Sequence, residues 1–177
     1  MSQTRAATPA DAPAVTRIYN QGIQDRGATF ETRERHENEI RERLSGTQPA
    51  VVALNGAGEV VAFAWSSPYS TRPAYATIGD HGVYTAREAR GQGHGEAALR
   101  ALLGAAREAG LHKLTSRILT ENAASRRLHT RCGFREVGVH LRHARQGGEW
   151  RDVVVVEVLL DGPEPSGHAS SLNATSR

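Results

Sequence analysis

A run of alternating glycines, Arg90-Gly91-Gln92-Gly93-His94-Gly95, lies between the strand-like Ile78-Gly79-Asp80-His81-Gly82-Val83-Tyr84-Thr85 and a long segment rich in Ala and Leu. These residue types suit the holding of phosphate. Glycine permits a tight turn and a close approach of bare N–H groups, and a following helix adds its unsatisfied first amides and the positive end of its dipole. Two familiar cradles are excluded. A Walker loop needs Gly-Lys-Ser/Thr before its helix, but Glu96-Ala97 stand there; a dinucleotide fingerprint needs a small residue three places after Gly93, where Glu96 stands. Proton-transfer groups flank the cradle. Asp80 and His81 are adjacent in the incoming strand, so alternation should send them to opposite faces and only one should line the site. His129, in a later helix, titrates near neutrality and can donate or accept a proton. Cys132, the single cysteine, precedes Gly133 at a helix end, where the dipole raises a thiol pKa and disfavours a covalent intermediate. His140 and His143 are three apart in a strand, should project to opposite faces and lack partners, so no metal is expected.

The elements that must position these groups follow from periodicity and punctuation. Thr8-Pro9-Ala10-Asp11 reads as a helix start, with Ala14, Val15 and Ile18 as its buried stripe. A second helix is expected over Arg33 to Leu44, closed by Ser45-Gly46. Ala50 to Leu54 and Val60 to Trp65 form a hairpin around Asn55-Gly56-Ala57-Gly58. Tyr75 to Thr85 should be one long strand. Gly95 to Ala109 carries Leu99, Leu102 and Leu103 at helical spacing, with Gly110 as its stop. Lys113 to Ile118 is a strand, Asn122 caps a helix reaching about Arg131, and Phe134 to Arg142 and Arg151 to Leu160 are two more strands. With an opening strand this order is α+β, a mixed sheet covered by helices.

Composition sets the outer bounds. At 177 residues, 38% hydrophobic and 23% charged, the chain fits one soluble domain over 1–160 with a disordered tail at 161–177 rich in Gly, Pro and Ser. No apolar run spans a membrane and no export signal opens the chain, so a cytoplasmic location is expected, in line with a single cysteine. The net charge of +3 is interspersed. Arg33, Arg35, Arg41 and Arg43 alternate with Glu31, Glu34, Glu37, Glu39 and Glu42, a solvated helix face with no basic stripe for nucleic acid.

The Arg-x-x-Gly-x-Gly loop between strand and helix resembles the pyrophosphate loop of the GCN5-related N-acetyltransferases. Asn122 to Phe134 resembles that family's Asn-x-x-x-x-x-Leu-Tyr-x-x-x-Gly-Phe block, with His129 in place of the tyrosine. Three further matches, Ala28-Thr29-Phe30-Glu31, Asp80-His81-Gly82-Val83-Tyr84 and Gly148-Glu149-Trp150-Arg151-Asp152-Val153, are similar to the phosphinothricin and arsinothricin acetyltransferases, and the likeness covers about residues 4 to 160. The resemblance implies a sheet of six to seven mostly antiparallel strands flanked by about four helices, with acetyl-CoA as co-substrate. It assigns the donor to Val83, Tyr84, Thr85, Arg90, Gly91, Gln92, Gly93, His94, Gly95, Glu96, Asn122 and Ser125. It implies His129 as the acid for the thiolate and Asp80 as the base for the amine, directly or through water. Relatives commonly carry Glu at the Asp80 position and often Ser at Gly82.

The implied acceptor is a small glutamate-like amino acid with a second anionic group, phosphinothricin or arsinothricin, so that acetylation would confer resistance. Such a substrate needs a fixed cation. Arg72 suits it through bidentate oxyanion binding, with Phe30, Tyr69 and Tyr75 as walls. Resemblance also implies a homodimer. The competing readings are an acetyltransferase for another amine, such as methionine sulfoximine, another amino acid or a protein N-terminus, and a CoA-binding module without catalysis.

Overall fold

The computed structural model describes residues 2–160; the expectation for the tail at 161–177 lies outside them. The chain runs β1 (Gln3–Ala6), α1 (Ala12–Asp25), α2 (Glu37–Leu44), β2 (Ala50–Leu54), β3 (Val60–Pro68), β4 (Ile78–Thr85), α3 (His94–Glu108), β5 (Lys113–Leu119), α4 (Ala123–Arg131), β6 (Arg135–Gln146) and β7 (Glu149–Leu159). Seven strands form one sheet in the order β1-β2-β3-β4-β5-β7-β6. Every neighbouring pair is antiparallel except β4 and β5. No helix among the described residues is long and apolar enough to cross a membrane.

Two apolar layers bind helices to the two faces of the sheet. On one face Val15, Ile18, Tyr19 and Ile23 of α1 and Ile40 and Leu44 of α2 pack on Val52, Phe63 and Trp65. On the other, Ala98, Leu99, Leu102 and Ala106 of α3 pack on Val51, Ala53, Ala62, Ala64 and Leu114. The alanines of β2 and β3 beneath α3 let that helix lie close to the strands, which fixes its first turn against the end of β4.

Several boundaries differ from the sequence expectation, among them β6, which runs on to Gln146, and β7, which begins at Glu149; two others have a plain local cause. Helix α2 begins at Glu37, not Arg33, because the Glu39 carboxylate accepts the His36 backbone N–H at 2.8 Å and so caps the chain there. Strand β4 begins at Ile78, not Tyr75. Pro73–Tyr75 form a 3-10 turn, and β3 has no partner to offer beyond the Pro68–Gly79 pair.

The pairing of β4 with β5 is the feature that makes room for a site. It covers only Ile78–Lys113, Gly79–Leu114 and Asp80–Thr115. Beyond Asp80 the strands diverge, while β4 stays paired to β3 as far as Thr85. One edge of β4 from His81 onward therefore faces an opening, with backbone groups available to a ligand.

Candidate active site

The glycine loop turns as its composition requires. Gly91 and Gly93 have φ of 76° and 87°, left-handed values that cost an L-residue with a Cβ about 1–2 kcal/mol. Gly93 is the N-cap of α3, and no side chain bonds to this terminus. Its first amides are left to an anion. Gly95 serves closeness instead, since a Cβ there would stand 2.7 Å from Thr85 Oγ1.

A cavity of about 690 Å³ runs from this loop along β4. Val83, Tyr84, Thr85, Arg90, Gly91, Gly93, His94, Gly95, Glu96, Asn122 and Ser125 border it. Of the expected donor residues only Gln92 is elsewhere, its amide turned back onto the Glu88 carbonyl at 3.0 Å. Arg90 is not free: it bonds Asp25 at 2.6 Å and the Thr85 carbonyl at 3.3 Å, and Arg87 shares Asp25. These pairs pin the loop to α1 and hold the Asp25 carboxyl below its usual value. The Glu96 carboxylate at the mouth is likewise charge-compensated, by Arg131 and Arg100, which hold its pKa below the usual value and keep it ionised. Arg127 and Arg131 border the same cavity and join the candidate donor residues. One helical turn apart, they present a shared face to the phosphate loop, a signal present in the α4 spacing.

A second, smaller cavity of about 140 Å³ opens where β4 and β5 part. It shares Gly27, Ala28, Val83, Tyr84, Asn122 and Ser125 with the larger one, so the two adjoin. Asn122 holds that junction: its Oδ1 accepts the Ser125 N–H at 3.0 Å and its Nδ2 donates to the Gly27 carbonyl at 2.8 Å. It is helix cap and cavity wall at once. Phe30, Asp80, His81, Arg117 and His129 also border the smaller cavity. Arg72, Tyr69 and Tyr75 border neither; the two tyrosines pack edge to face with centroids 5.7 Å apart in the loop before β4.

The expectation that only one of Asp80 and His81 could line the site is corrected. Alternation holds, with Asp80 bonded to Arg117 at 2.9 Å and His81 directed to α4. Both still border the cavity, because it lies in the gap between diverging strands and is reached from either face. His81 and His129 meet there, Nε2 to Nε2 at 3.0 Å, with Phe134 packed on both rings. Each Nδ1 meets a backbone carbonyl, Thr115 O at 2.9 Å for His81 and Ser125 O at 2.7 Å for His129. Burial pushes both imidazoles below the usual histidine pKa. The histidine pair was not legible in the sequence, since 48 residues separate its members.

Other side chains have structural explanations. Tyr84 lies among Tyr19, Phe63 and Trp65, and burial raises its pKa. Its ring folds back over Gly82, where a Cβ would stand 2.9 Å from Cε2. That contact accounts for glycine in place of serine. Cys132 is buried, its thiol pushed up by desolvation, and it borders neither cavity. His140 and His143 do not diverge as expected; their centroids are 4.5 Å apart. The register of β6 shifts between His140 and Ala144, where Arg142 has φ of 49°, and this bulge breaks the alternation.

A long cleft with a phosphate cradle at one end and a small polar chamber at the other defines a group-transfer enzyme with a phosphate-bearing donor. Residues 15–134 match the Acetyltransferase (GNAT) family, and the chain belongs to it. It is 34% identical over 161 residues to the phosphinothricin N-acetyltransferase of Streptomyces coelicolor, covering 88% of this chain and 94% of that one. It is 31% identical to the L-methionine sulfoximine/L-methionine sulfone acetyltransferase of Pseudomonas aeruginosa, covering 89% and 94%. Among solved structures, a phosphinothricin acetyltransferase from Sinorhizobium meliloti in complex with AcCoA superposes with a TM-score of 0.83 at 28% identity, over 96% of this chain and 97% of that one. The expected α+β fold, a mostly antiparallel sheet of six to seven strands flanked by about four helices, is the observed one, with seven strands and four α-helices among the described residues.

Proposed function

We propose that this N-acetyltransferase takes acetyl-CoA and acetylates the α-amine of a small glutamate-like amino acid, phosphinothricin or arsinothricin, by direct transfer in a ternary complex. The observation that carries this reading is the adjacency of the two cavities at the β4–β5 divergence, lined jointly by Val83, Tyr84, Asn122 and Ser125. The larger cavity fits the donor: left-handed glycines, uncapped helix amides and Arg127 and Arg131 suit its phosphates, and the open edge of β4 suits its amide-bearing arm. A backbone N–H of that edge would polarise the thioester carbonyl.

The chamber supports a compact charged acceptor. Asp80 would take the ammonium proton, directly or through one water. Arg117 offers a cation for a second anionic group, and Arg72 with Tyr69 and Tyr75 would close the mouth from the preceding loop. Direct transfer is supported by Cys132, which is buried and away from both cavities. We further take residues 1–160 as one domain, acting in the cytoplasm as a homodimer in resistance to the acceptor. Exposed Val137, Val139 and Leu141 of β6 support the dimer. A second reading, acetylation of methionine sulfoximine, is favoured by the relative in Pseudomonas aeruginosa. Thiol release from acetyl-CoA across phosphinothricin, arsinothricin, methionine sulfoximine, other amino acids and peptides tests both. Turnover of peptides alone would contradict them, and donor binding without turnover of any amine would leave a CoA-binding module.

A further inference from the structure

His129 offers no free nitrogen to the cavity. Its Nδ1 lies 2.7 Å from the Ser125 carbonyl and 3.3 Å from Ser125 Oγ, and its Nε2 faces His81. A carbonyl can only accept, so His81 Nδ1, 2.9 Å from Thr115 O, carries hydrogen. In neutral His81 the Nε2 is then a lone pair, and His129 Nε2 must supply the proton between the rings.

The singly protonated pair satisfies every one of these contacts without moving a heavy atom, and the neutral pair satisfies all but the 2.7 Å approach of His129 Nδ1 to the Ser125 carbonyl, where two acceptors meet. In the neutral state Ser125 Oγ donates to His129 Nδ1, His129 Nε2 donates to His81 Nε2, and His81 Nδ1 donates to Thr115 O. With one more proton, His129 Nδ1 donates to the Ser125 carbonyl and the other bonds stay. A second added proton would set N–H against N–H at 3.0 Å, which is forbidden. The neighbours supply no competing charge. Around the rings stand Thr115 and Ser116 of β5, Ser125 of α4 and Phe134; Asp80 and Arg117 pair with each other on the opposite face, and the charge acting on His81 comes from His129.

We propose that His81, His129 and Ser125 form a store for a single proton, which carries the proton lost by the amine nitrogen to the departing sulfur. The inference rests on the acetyl-transfer reading above. As the N–C bond forms, Ser125 Oγ takes the surplus proton from nitrogen and passes its own to His129 Nδ1. As the C–S bond breaks and its electron pair stays on sulfur, His129 returns that proton to Oγ, and Oγ protonates the thiolate. One proton moves from nitrogen to sulfur and the store ends as it began. Two opposing effects keep it poised: burial favours the neutral pair, and the 2.7 Å contact of His129 Nδ1 with the Ser125 carbonyl favours the charged one. Ser125 is the member that touches reactants, since it borders both cavities. His81 is a positioning residue, its lone pair accepting the bond that charged His129 must make.

His81→Phe keeps a ring against Phe134 but removes that lone pair, and His81→Gln keeps an acceptor oxygen. We expect kcat to fall about ten- to a hundredfold in His81→Phe with the acetyl-CoA KM unchanged, and to recover largely in His81→Gln. In the wild-type chain with 15N-labelled histidine, a scalar coupling should link the two Nε2 atoms, with both a proton and its acceptor assigned there. Wild-type kcat in His81→Phe, or absence of that coupling, would overturn the proposal. The coupling also decides the matter should His81→Phe fail to fold. Inactivity toward every amine with the coupling present would instead overturn the acetyl-transfer reading and the transfer step together, leaving only the bonded pair.

Discussion

Replacing Gly95 by alanine tests whether the cradle works through the seat of α3 on β4. The added Cβ would stand 2.7 Å from Thr85 Oγ1 and 3.4 Å from Leu128 Cδ1. The first distance is one that real structures do not tolerate, so either Thr85 leaves its rotamer or the helix start backs away by several tenths of an ångström. Overpacking of this kind costs about 1–3 kcal/mol, against which alanine returns about 1 kcal/mol of helix propensity over glycine. A net loss of about 0–2 kcal/mol in denaturant unfolding is expected. The kinetic effect should be larger, because the amides of Gly93 to Glu96 move with the helix start: the acetyl-CoA KM should rise about tenfold while the acceptor KM holds. Thr85→Ala removes Oγ1, so the double variant should recover donor affinity and exceed Gly95→Ala in stability. Equal KM and stability in wild type and Gly95→Ala would refute the argument, as would failure of Thr85→Ala to rescue.

Other consequences are open to simpler tests. Asp80→Asn should lower kcat by about 10²-fold or more with little change in the acetyl-CoA KM, measured by thiol release. Arg127→Ala and Arg131→Ala should each raise the acetyl-CoA KM several-fold, with the difference from wild type shrinking as salt is added. Arg5 bonds both Asp11 carboxylate oxygens at 2.7 Å and lowers its pKa. A depressed carboxylate adds stability that is complete above its unfolded pKa of about 3.9 and is lost as pH falls through the lower folded value. Arg5→Ala should therefore unfold at higher pH in an acid titration followed by circular dichroism. Cys132→Ala should retain kcat, and the wild-type thiol should react slowly with a thiol reagent at neutral pH, as its burial and raised pKa require.

Local signals carried far in this chain. The β2–β3 hairpin around Asn55 to Gly58 and the leucine spacing of α3 were legible because turn chemistry and periodicity act within a dozen residues. The glycine loop was legible for the same reason, since its left-handed positions require glycine wherever the chain goes next. What stayed hidden depends on distance. Arg90 is absorbed by Asp25, 65 residues earlier, and no local pattern reports that pairing. His81 meets His129 only because the β4–β5 pairing stops after Asp80 and Thr115, which strand periodicity cannot reveal. Strand β4 starts later than its residue pattern suggests because a 3-10 turn over Pro73–Tyr75 intervenes, and the β6 bulge breaks the alternation expected for His140 and His143.

The central claim is acetyl transfer to a small amino acid bearing a second anionic group. It is tested most directly by thiol release from acetyl-CoA, with the product identified by mass, across phosphinothricin, arsinothricin, methionine sulfoximine, glutamate and a short peptide. The account predicts N-acetylation of phosphinothricin or arsinothricin at the highest kcat/KM, and none of the peptide. Peptide acetylation with no turnover of the amino-acid analogues would contradict it.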